Sequence, residues 1–335
     1  MDKNLMKMTR LGKDGPEISQ FGLGAMSFAG IYGDATIEQS HSVLNACRSA
    51  GVTHIDTANV YGSGRSEDII GKWFADTPAA RDEMVIATKA GITGNAERRF
   101  NNDLEHLETS LDASLQRLGV DCVDLFYVHR YDRAHSPEDV AGTLKRLIES
   151  GKTKAVGLSE VAPSTLRRAF SECPIAAVQS EYSLSTRAPE LGLVQACADL
   201  GTSLVAFSPV GRAFLTDAPF SYEHAQTMAF TKNNPRFTGE NYRANIAATD
   251  KLRALAAELG EPTAAIAIAW VIAQGKHVLP IPGTKNTAHL SELLRGTQID
   301  LDAGMRARIE EILPVGWAHG DRYTAAQWDG PERYC

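Results

Sequence analysis

The sequence predicts an α/β fold in which eight parallel strands close into a (β/α)8 TIM barrel, and three observations predict it. Short β-branched or apolar runs alternate with helical-period segments eight times along the chain, and strict βα alternation implies parallel strands joined by right-handed crossovers. The 335 residues contain no linker, low-complexity tract or charge run, so 1–335 reads as a single domain. Eight units in that length suit a closed barrel better than an open sheet. The glycine fingerprint of an open dinucleotide-binding sheet is also missing: Gly22-Leu23-Gly24-Ala25-Met26-Ser27 and Gly62-Ser63-Gly64-Arg65-Ser66-Glu67 both lack the third glycine.

Residues 7–20 read as a hairpin, with Met8–Leu11 and Glu17–Ser19 around a turn at Gly12–Pro16, placed to plug the bottom of the barrel. The core strands fall at 21–23, 53–56, 84–88, 123–128, 155–158, 177–179, 203–207 and 277–279. Thr36 can cap a helix over 37–50, where Val43, Leu44 and Cys47 recur at helical spacing. Ser66-Glu67-Asp68 opens a second helix to Phe74. A third over 102–118 repeats leucine at 104, 107, 111, 115 and 118. Ser136-Pro137-Glu138 starts the next, to Ser150, since proline is favoured in a first turn. Helices follow over 163–171, 191–200, 244–259, 263–274, 288–294 and 303–312, the Ala/Ile-rich 263–274 being expected to lie buried. Residues 211–240 read as a long irregular segment, and an aromatic, polar tail running to Cys335 is expected over the active-site face.

Composition narrows the function. With 43% hydrophobic and 22% charged residues the chain can bury a sizeable core, and a net charge of −7 without a Lys/Arg run argues against nucleic acid. No signal-length apolar segment follows Met1-Asp2-Lys3-Asn4, and no run approaches the roughly 18 apolar residues of a membrane span, so a cytoplasmic protein without a membrane partner is expected. Cys47, Cys122, Cys173, Cys197 and Cys335 lack CxxC spacing and read as reduced thiols, the last exposed and oxidisable. No His/Cys/Asp cluster suggests a metal, and nothing marks an oligomer interface.

Catalytic groups in such barrels come from the C-terminal ends of several strands. The second strand ends in Asp56 with Tyr61 in the following loop, the third in Lys89, and the fourth in His129. Each alone has an ordinary structural reading as a cap, a surface cation or a packed imidazole. Together they would set a carboxylate, a phenol, an ammonium and an imidazole around one pocket. Proton delivery to a carbonyl oxygen needs such a group. A free tyrosine, with pKa about 10, is a poor acid at neutral pH. A neighbouring ammonium favours the phenolate and lowers that value. Lys89, held by Asp56, can supply the ammonium, and His129 can orient the oxygen. None of these is a hydride donor, so a cofactor must bring the reducing power.

Asp-Thr-Ala-Asn-Val-Tyr-Gly (56–62), Ala-Thr-Lys (87–89), Asp-Leu-Phe-Tyr-Val-His-Arg (124–130), Gly-Leu-Ser (157–159), Gln179, Ala-Phe-Ser-Pro-Val-Gly-Arg (206–212) and Ile-Pro-Gly-Thr-Lys (281–285) together resemble the signature blocks of the aldo-keto reductases, in order from about Met8 to Tyr323. Pro235-Arg236-Phe237 and Gly239-Glu240-Asn241 resemble the bacterial, fungal and plant branch that reduces aldehydes, ketones and pyridoxal-like compounds. The resemblance implies an NADPH-dependent barrel oxidoreductase acting on a small-molecule carbonyl substrate. Tyr61 would be the proton donor, Lys89 and Asp56 its pKa-lowering pair, and His129 the carbonyl-orienting group. Ser159 and Gln179 would bind the nicotinamide carboxamide, and Phe207 would stack on its ring. Ser208, Val210, Gly211 and Arg212 would lie over the pyrophosphate. Gly283, Thr284 and Lys285 would hold the adenosine 2′-phosphate, with His289 beside them.

Three positions depart from the family pattern. Glu160 stands where many members have Asn, and would put a carboxylate near the nicotinamide. His289 stands where an Arg often meets the 2′-phosphate, and Leu293 where an Asn often meets the adenine. These leave NADH open beside NADPH. The alternatives are a non-enzymatic cofactor-binding regulatory subunit, such as the potassium-channel β-subunits of the same family, an NAD(H)-preferring alcohol or sugar dehydrogenase, and an unrelated metal-dependent barrel hydrolase. Trp73 and Trp270 are expected in the core. Trp317, Trp328 and Tyr323, with Phe214, Phe220 and Phe237, are candidates to line a substrate pocket, as are Ala29–Tyr32 and Arg130–His135. His54 and His277, inside strands, are not expected to be ligands.

Overall fold

Strand β1 (Met8–Arg10) pairs antiparallel with β2 (Glu17–Ser19), Thr9 lying opposite Ile18. The remaining strands, β3 (Gly22–Gly24), β4 (His54–Asp56), β5 (Val85–Ala90), β6 (Leu125–Val128), β7 (Val156–Ser159), β8 (Ala177–Glu181), β9 (Ser203–Phe207) and β10 (Val278–Pro280), form one parallel sheet in sequence order. This computed structural model describes residues 6–333; the expectations for Cys335 and for the extreme N-terminus lie outside them.

The sheet curls until its edges meet. The Gly24 N–H donates to the Pro282 carbonyl at 3.0 Å. Glycine is needed on both sides of this closure: a Cβ on Gly24 would lie 2.7 Å from the Ile281 oxygen, and one on Gly283 would lie 2.7 Å from the Gly24 oxygen. The result is the expected (β/α)8 barrel. The hairpin closes its N-terminal end as expected. Leu11 and Ile18 pack into the apolar interior with Val85, Leu125, Tyr127 and Val205, and the Gly12 N–H donates to Ser203 Oγ at 2.8 Å.

The helices form the outer ring: α1 (Ile37–Ser49), α2 (Arg65–Asp76), α3 (Ala79–Glu83), α4 (Leu104–Leu118), α5 (Pro137–Glu149), α6 (Pro163–Glu172), α7 (Leu193–Leu200), α8 (Tyr222–Thr227), α9 (Gly239–Leu259), α10 (Thr263–Ile272), α11 (Thr287–Arg295) and α12 (Ala303–Ile312). Thr36 and Ser136 make capping boxes for α1 and α5. The leucines of α4 at 107, 111, 115 and 118 are buried, as are residues 263–271 of α10. Trp73 and Trp270 lie in the core. Among the described residues no single helix is long and apolar enough to cross a membrane.

The structure corrects the irregular reading of 211–240, which contains α8 and the first residues of α9. Short polar elements carry little apolar periodicity, and α3 escaped for the same reason. The tail crosses the C-terminal rim. The Glu332 N–H donates to the Glu160 carbonyl at 2.8 Å, and its carboxylate accepts from the Ala162 N–H at 2.6 Å and from Thr165 Oγ1 at 2.9 Å at the start of α6.

Candidate active site

Asp56 ends β4, and Lys89 lies inside β5, one residue further from the strand end than expected, because β5 runs on to Ala90. The two side chains meet at the rim, 2% and 0% exposed, as an ion pair. The Lys89 ammonium also donates to the Thr57 carbonyl at 2.7 Å and reaches the Tyr61 hydroxyl at 3.5 Å. It is flanked by two phenol rings, with centroids 5.1 Å away for Tyr61 and 5.8 Å for Tyr127. Tyr127 has room because β7 carries Gly157, where a Cβ would come within 2.5 Å of the Tyr127 ring. Gln179 of β8 donates to the other Asp56 oxygen at 2.7 Å.

His129 follows β6 and meets Tyr61 edge to face, ring centroids 5.8 Å apart. The four residues read from the strand ends are therefore together. Burial strongly disfavours the His129 imidazolium, and the Arg130 and Lys89 charges push its pKa further down, so the ring is neutral. Burial is the largest influence on Lys89 and opposes its charge, but Asp56 and Tyr61 together offset it and the amine is held above its ordinary value. For Tyr61 the expected lowering is overturned. Lys89 does pull the phenol down, but burial outweighs it and the net direction is up. Tyr61 thus keeps its proton at neutral pH.

A second buried charge cluster lies beside the first and was not anticipated. Glu181, at the end of β8, takes Arg212 at 2.8 Å and Arg236 at 3.4 Å, with Arg322 of the tail at 3.7 Å. Glu160 pairs with Arg322 and also accepts the Glu181 N–H at 2.8 Å. Burial pushes the Glu181 carboxyl up, and the three guanidiniums reverse this to a net lowering. Burial lowers Arg236 to about 10, which leaves it charged at neutral pH. The Glu160 carboxylate is therefore neutralised by the tail, not left free near the site. Its backbone is left-handed (φ 58°), as are Ser208, Arg212 and Ala213, and such conformations cost of order 1–3 kcal/mol each.

The residues assigned by resemblance to a cofactor occupy the same rim. Ser159 ends β7, and its hydroxyl accepts from Arg130 at 3.2 Å. Phe207 ends β9, and Ser208, Val210 and Gly211 form the turn after it. Gln179 and Arg212 are engaged with Asp56 and Glu181. Thr284 follows β10, and the Lys285 amine donates to the carbonyls of Asp34 at 2.8 Å and Tyr32 at 3.3 Å, bridging the first and last strand loops. Gly283 and His289 are exposed, the latter in the first turn of α11, while Leu293 is buried. Several buried polar atoms at this end of the barrel lack a hydrogen-bond partner among the described residues: Asn59 Oδ1, His129 Nδ1, Ser180 Oγ and Arg212 Nε. Such orphans are costly unless a ligand or water meets them. Among the described residues no group of three or more His, Cys, Asp or Glu is placed to hold a metal.

Of the aromatic candidates, Tyr323 lines a cleft of about 380 Å³ beside the site, with Phe100, Phe230 and Arg130. Phe214 and Phe237 do not: they stack on each other, centroids 4.4 Å apart, in a separate buried cluster against which Phe220 packs. Trp317 donates to the Leu184 carbonyl at 2.7 Å, and Trp328 stacks edge to face on Tyr323. Glu181 and Arg322 were missed, although Glu181 lies two residues beyond Gln179 on the same inward-facing alternation.

A parallel barrel with an acid, a lysine, a tyrosine and a histidine gathered at its C-terminal rim defines an oxidoreductase-type barrel. The chain belongs to the aldo/keto reductase family, whose model matches residues 20–314. It is 35% identical over 320 residues to aldo-keto reductase yakc of Schizosaccharomyces pombe, whose name specifies NADP(+), covering 94% of this chain and 93% of that one. It is 37% identical over 326 residues to "Probable aldo-keto reductase 1" of Glycine max, covering 96% and 93%. Among solved structures it is similar to a glycerol dehydrogenase from Gluconobacter oxydans (TM-score 0.79, 25% identity, 93% and 96% covered). It is also similar to a thermostable aldo-keto reductase solved with the inhibitor epalrestat (TM-score 0.71, 28% identity, 92% and 100% covered).

Proposed function

We propose that the chain works as one domain that reduces the carbonyl of an aldehyde or ketone to the alcohol, reversibly, with NADPH as the reductant and Tyr61 as the general acid. The observation that carries this is the convergence of the Tyr61 hydroxyl, the Lys89 ammonium, Asp56 and His129 at one rim.

The residues present suit a phosphorylated dinucleotide. Lys285 and the exposed first turn of α11 offer a cation and a helix N-terminus to a phosphate. Ser159, Gln179 and Phe207 offer polar and aromatic contacts at the strand ends, and the unpartnered Ser180 Oγ and Arg212 Nε await acceptors or donors there. When bound, the cofactor supplies the hydride. Tyr61, protonated at rest, gives its proton to the carbonyl oxygen as negative charge develops on it. The Lys89 ammonium, fixed by Asp56 and the Thr57 carbonyl, stabilises the phenolate that remains. Neutral His129 keeps one N–H to donate to the same oxygen and orient it. The same groups run in reverse for alcohol oxidation, the direction named for the Gluconobacter relative. The test is loss of absorbance at 340 nm with a reactive aromatic aldehyde, NADPH and NADH in parallel. Turnover with neither cofactor would refute the reading, and turnover with NADH alone would refute the choice of NADPH.

A further inference from the structure

The cleft beside the reacting groups has a one-sided charge. Its lining includes two arginines, Arg99 and Arg130, and no carboxylate. Arg99, at the outer rim, is paired with Asp329 at 3.2 Å. Arg130 makes no ion pair among the described residues, while the neighbouring Arg212 and Arg322 each meet a glutamate. Arg130 is nonetheless held firmly. Its Nη1 donates to the His129 carbonyl at 2.6 Å and to Ser159 Oγ at 3.2 Å. Its stem is pinned by the tail, since a Cβ on Gly330 would lie 2.8 Å from Arg130 Cδ. Both bonds use one nitrogen. The Nε–Nη2 edge, the fork that matches a carboxylate in bidentate fashion, makes no hydrogen bond among the described residues. The guanidinium is half-buried, and this open edge is free to pair with an anion supplied from outside. Apart from the amides of Asn95 and Gln327, the rest of the cleft is mainly apolar and aromatic, with Ile92, Phe100, Phe230 and Tyr323 around it.

We propose that Arg130 is a specificity-determining residue that binds a substrate carboxylate, so that the preferred substrates are oxo acids: aldehydes or ketones carrying a carboxylate on a flat, apolar body. This rests on the reductase reading above. It deepens that reading, because Arg130 immediately follows His129 and so ties recognition of the acid group to placement of the carbonyl.

The test compares 4-carboxybenzaldehyde with methyl 4-formylbenzoate, which share a ring and differ in charge. The acid-to-ester ratio of kcat/KM cancels any loss common to both. The wild type should favour the acid. Arg130→Gln should lower the ratio about tenfold or more, as expected for a charge-assisted hydrogen bond, and Arg130→Lys should restore part of it. A wild-type preference for the ester, or a ratio unchanged by Arg130→Gln, would overturn the proposal. Calorimetric titration of the cofactor-free protein with benzoate and benzamide gives a second readout, with benzoate binding expected only when Arg130 is present. If no aldehyde turns over but benzoate binding depends on Arg130, the reductase reading fails and the anion site stands. If aldehydes turn over and neither the ratio nor benzoate binding responds to Arg130, the anion site fails and the reductase reading stands.

Discussion

Replacing Lys89 by Met keeps the apolar stem and removes the ammonium from a fully buried carboxylate. Asp56 then retains one charge-neutral donor, Gln179 Nε2 at 2.7 Å, and loses its only ionic partner among the described residues. Breaking a buried pair by removing one member costs roughly 3–5 kcal/mol, mostly the burden of the charge left behind. At about 2.1 cal/mol/K per residue, a chain of 335 residues unfolds with an entropy of roughly 0.7 kcal/mol/K, so the thermal midpoint should fall by about 4–7 °C. Asp56→Asn in the same molecule removes the stranded charge and should recover most of that loss, yet the double variant should stay as inactive as the single one, because no cation remains to stabilise the Tyr61 phenolate. Calorimetry or fluorescence-detected melting reads the stability, and aldehyde turnover reads the activity. A single variant that melts within about 1 °C of the wild type, or a double variant no more stable than the single, would refute the picture of a tightly coupled buried pair.

Three further outcomes follow from the same geometry. Burial holds His129 well below its ordinary pKa and lowers His54 as well. Below the unfolded value of about 6.5 the unfolded chain takes up protons the folded one refuses, so stability should fall as pH drops, by up to about 1.4 kcal/mol per pH unit for each ring; His54→Leu should flatten the melting-versus-pH curve between pH 6.5 and 5.5, and an unchanged slope would contradict this. Gly157→Ala forces a methyl into the Tyr127 ring and should cost about 1–3 kcal/mol as overpacking, a fall in melting temperature of roughly 1.5–4 °C by the entropy above; no fall would mean that Tyr127 moves freely. Lys285→Ala should cut kcat/KM for NADPH about tenfold or more while affecting NADH much less, and equal losses for both would remove Lys285 from the phosphate site.

The barrel was legible because each strand announces itself locally. Apolar runs bounded by glycine or polar residues located the eight barrel strands to within about two residues at each end, and leucine spacing located α4. The tetrad was legible because a parallel barrel gathers its strand ends, which turns Asp56, Lys89 and His129, distant in sequence, into neighbours. What stayed hidden depends on contacts that no local spacing encodes. Glu160 meets Arg322 across 162 residues, and the choice of partner follows from the path of the tail. The direction of the Tyr61 pKa was misjudged because the sequence shows Lys89 nearby but not how completely the phenol is removed from water. The engagement of Gln179 with Asp56 is likewise a matter of side-chain direction inside the barrel.

The most direct test of the central claim is the rate of aldehyde reduction by Tyr61→Phe, followed at 340 nm beside the wild type with NADPH. Phenylalanine keeps the ring against His129 and Lys89 and removes only the hydroxyl that carries the proton. The account predicts a loss of about 10²–10⁴ in kcat with cofactor binding retained. Wild-type turnover by the Tyr61→Phe protein would contradict it and show that the proton comes from elsewhere.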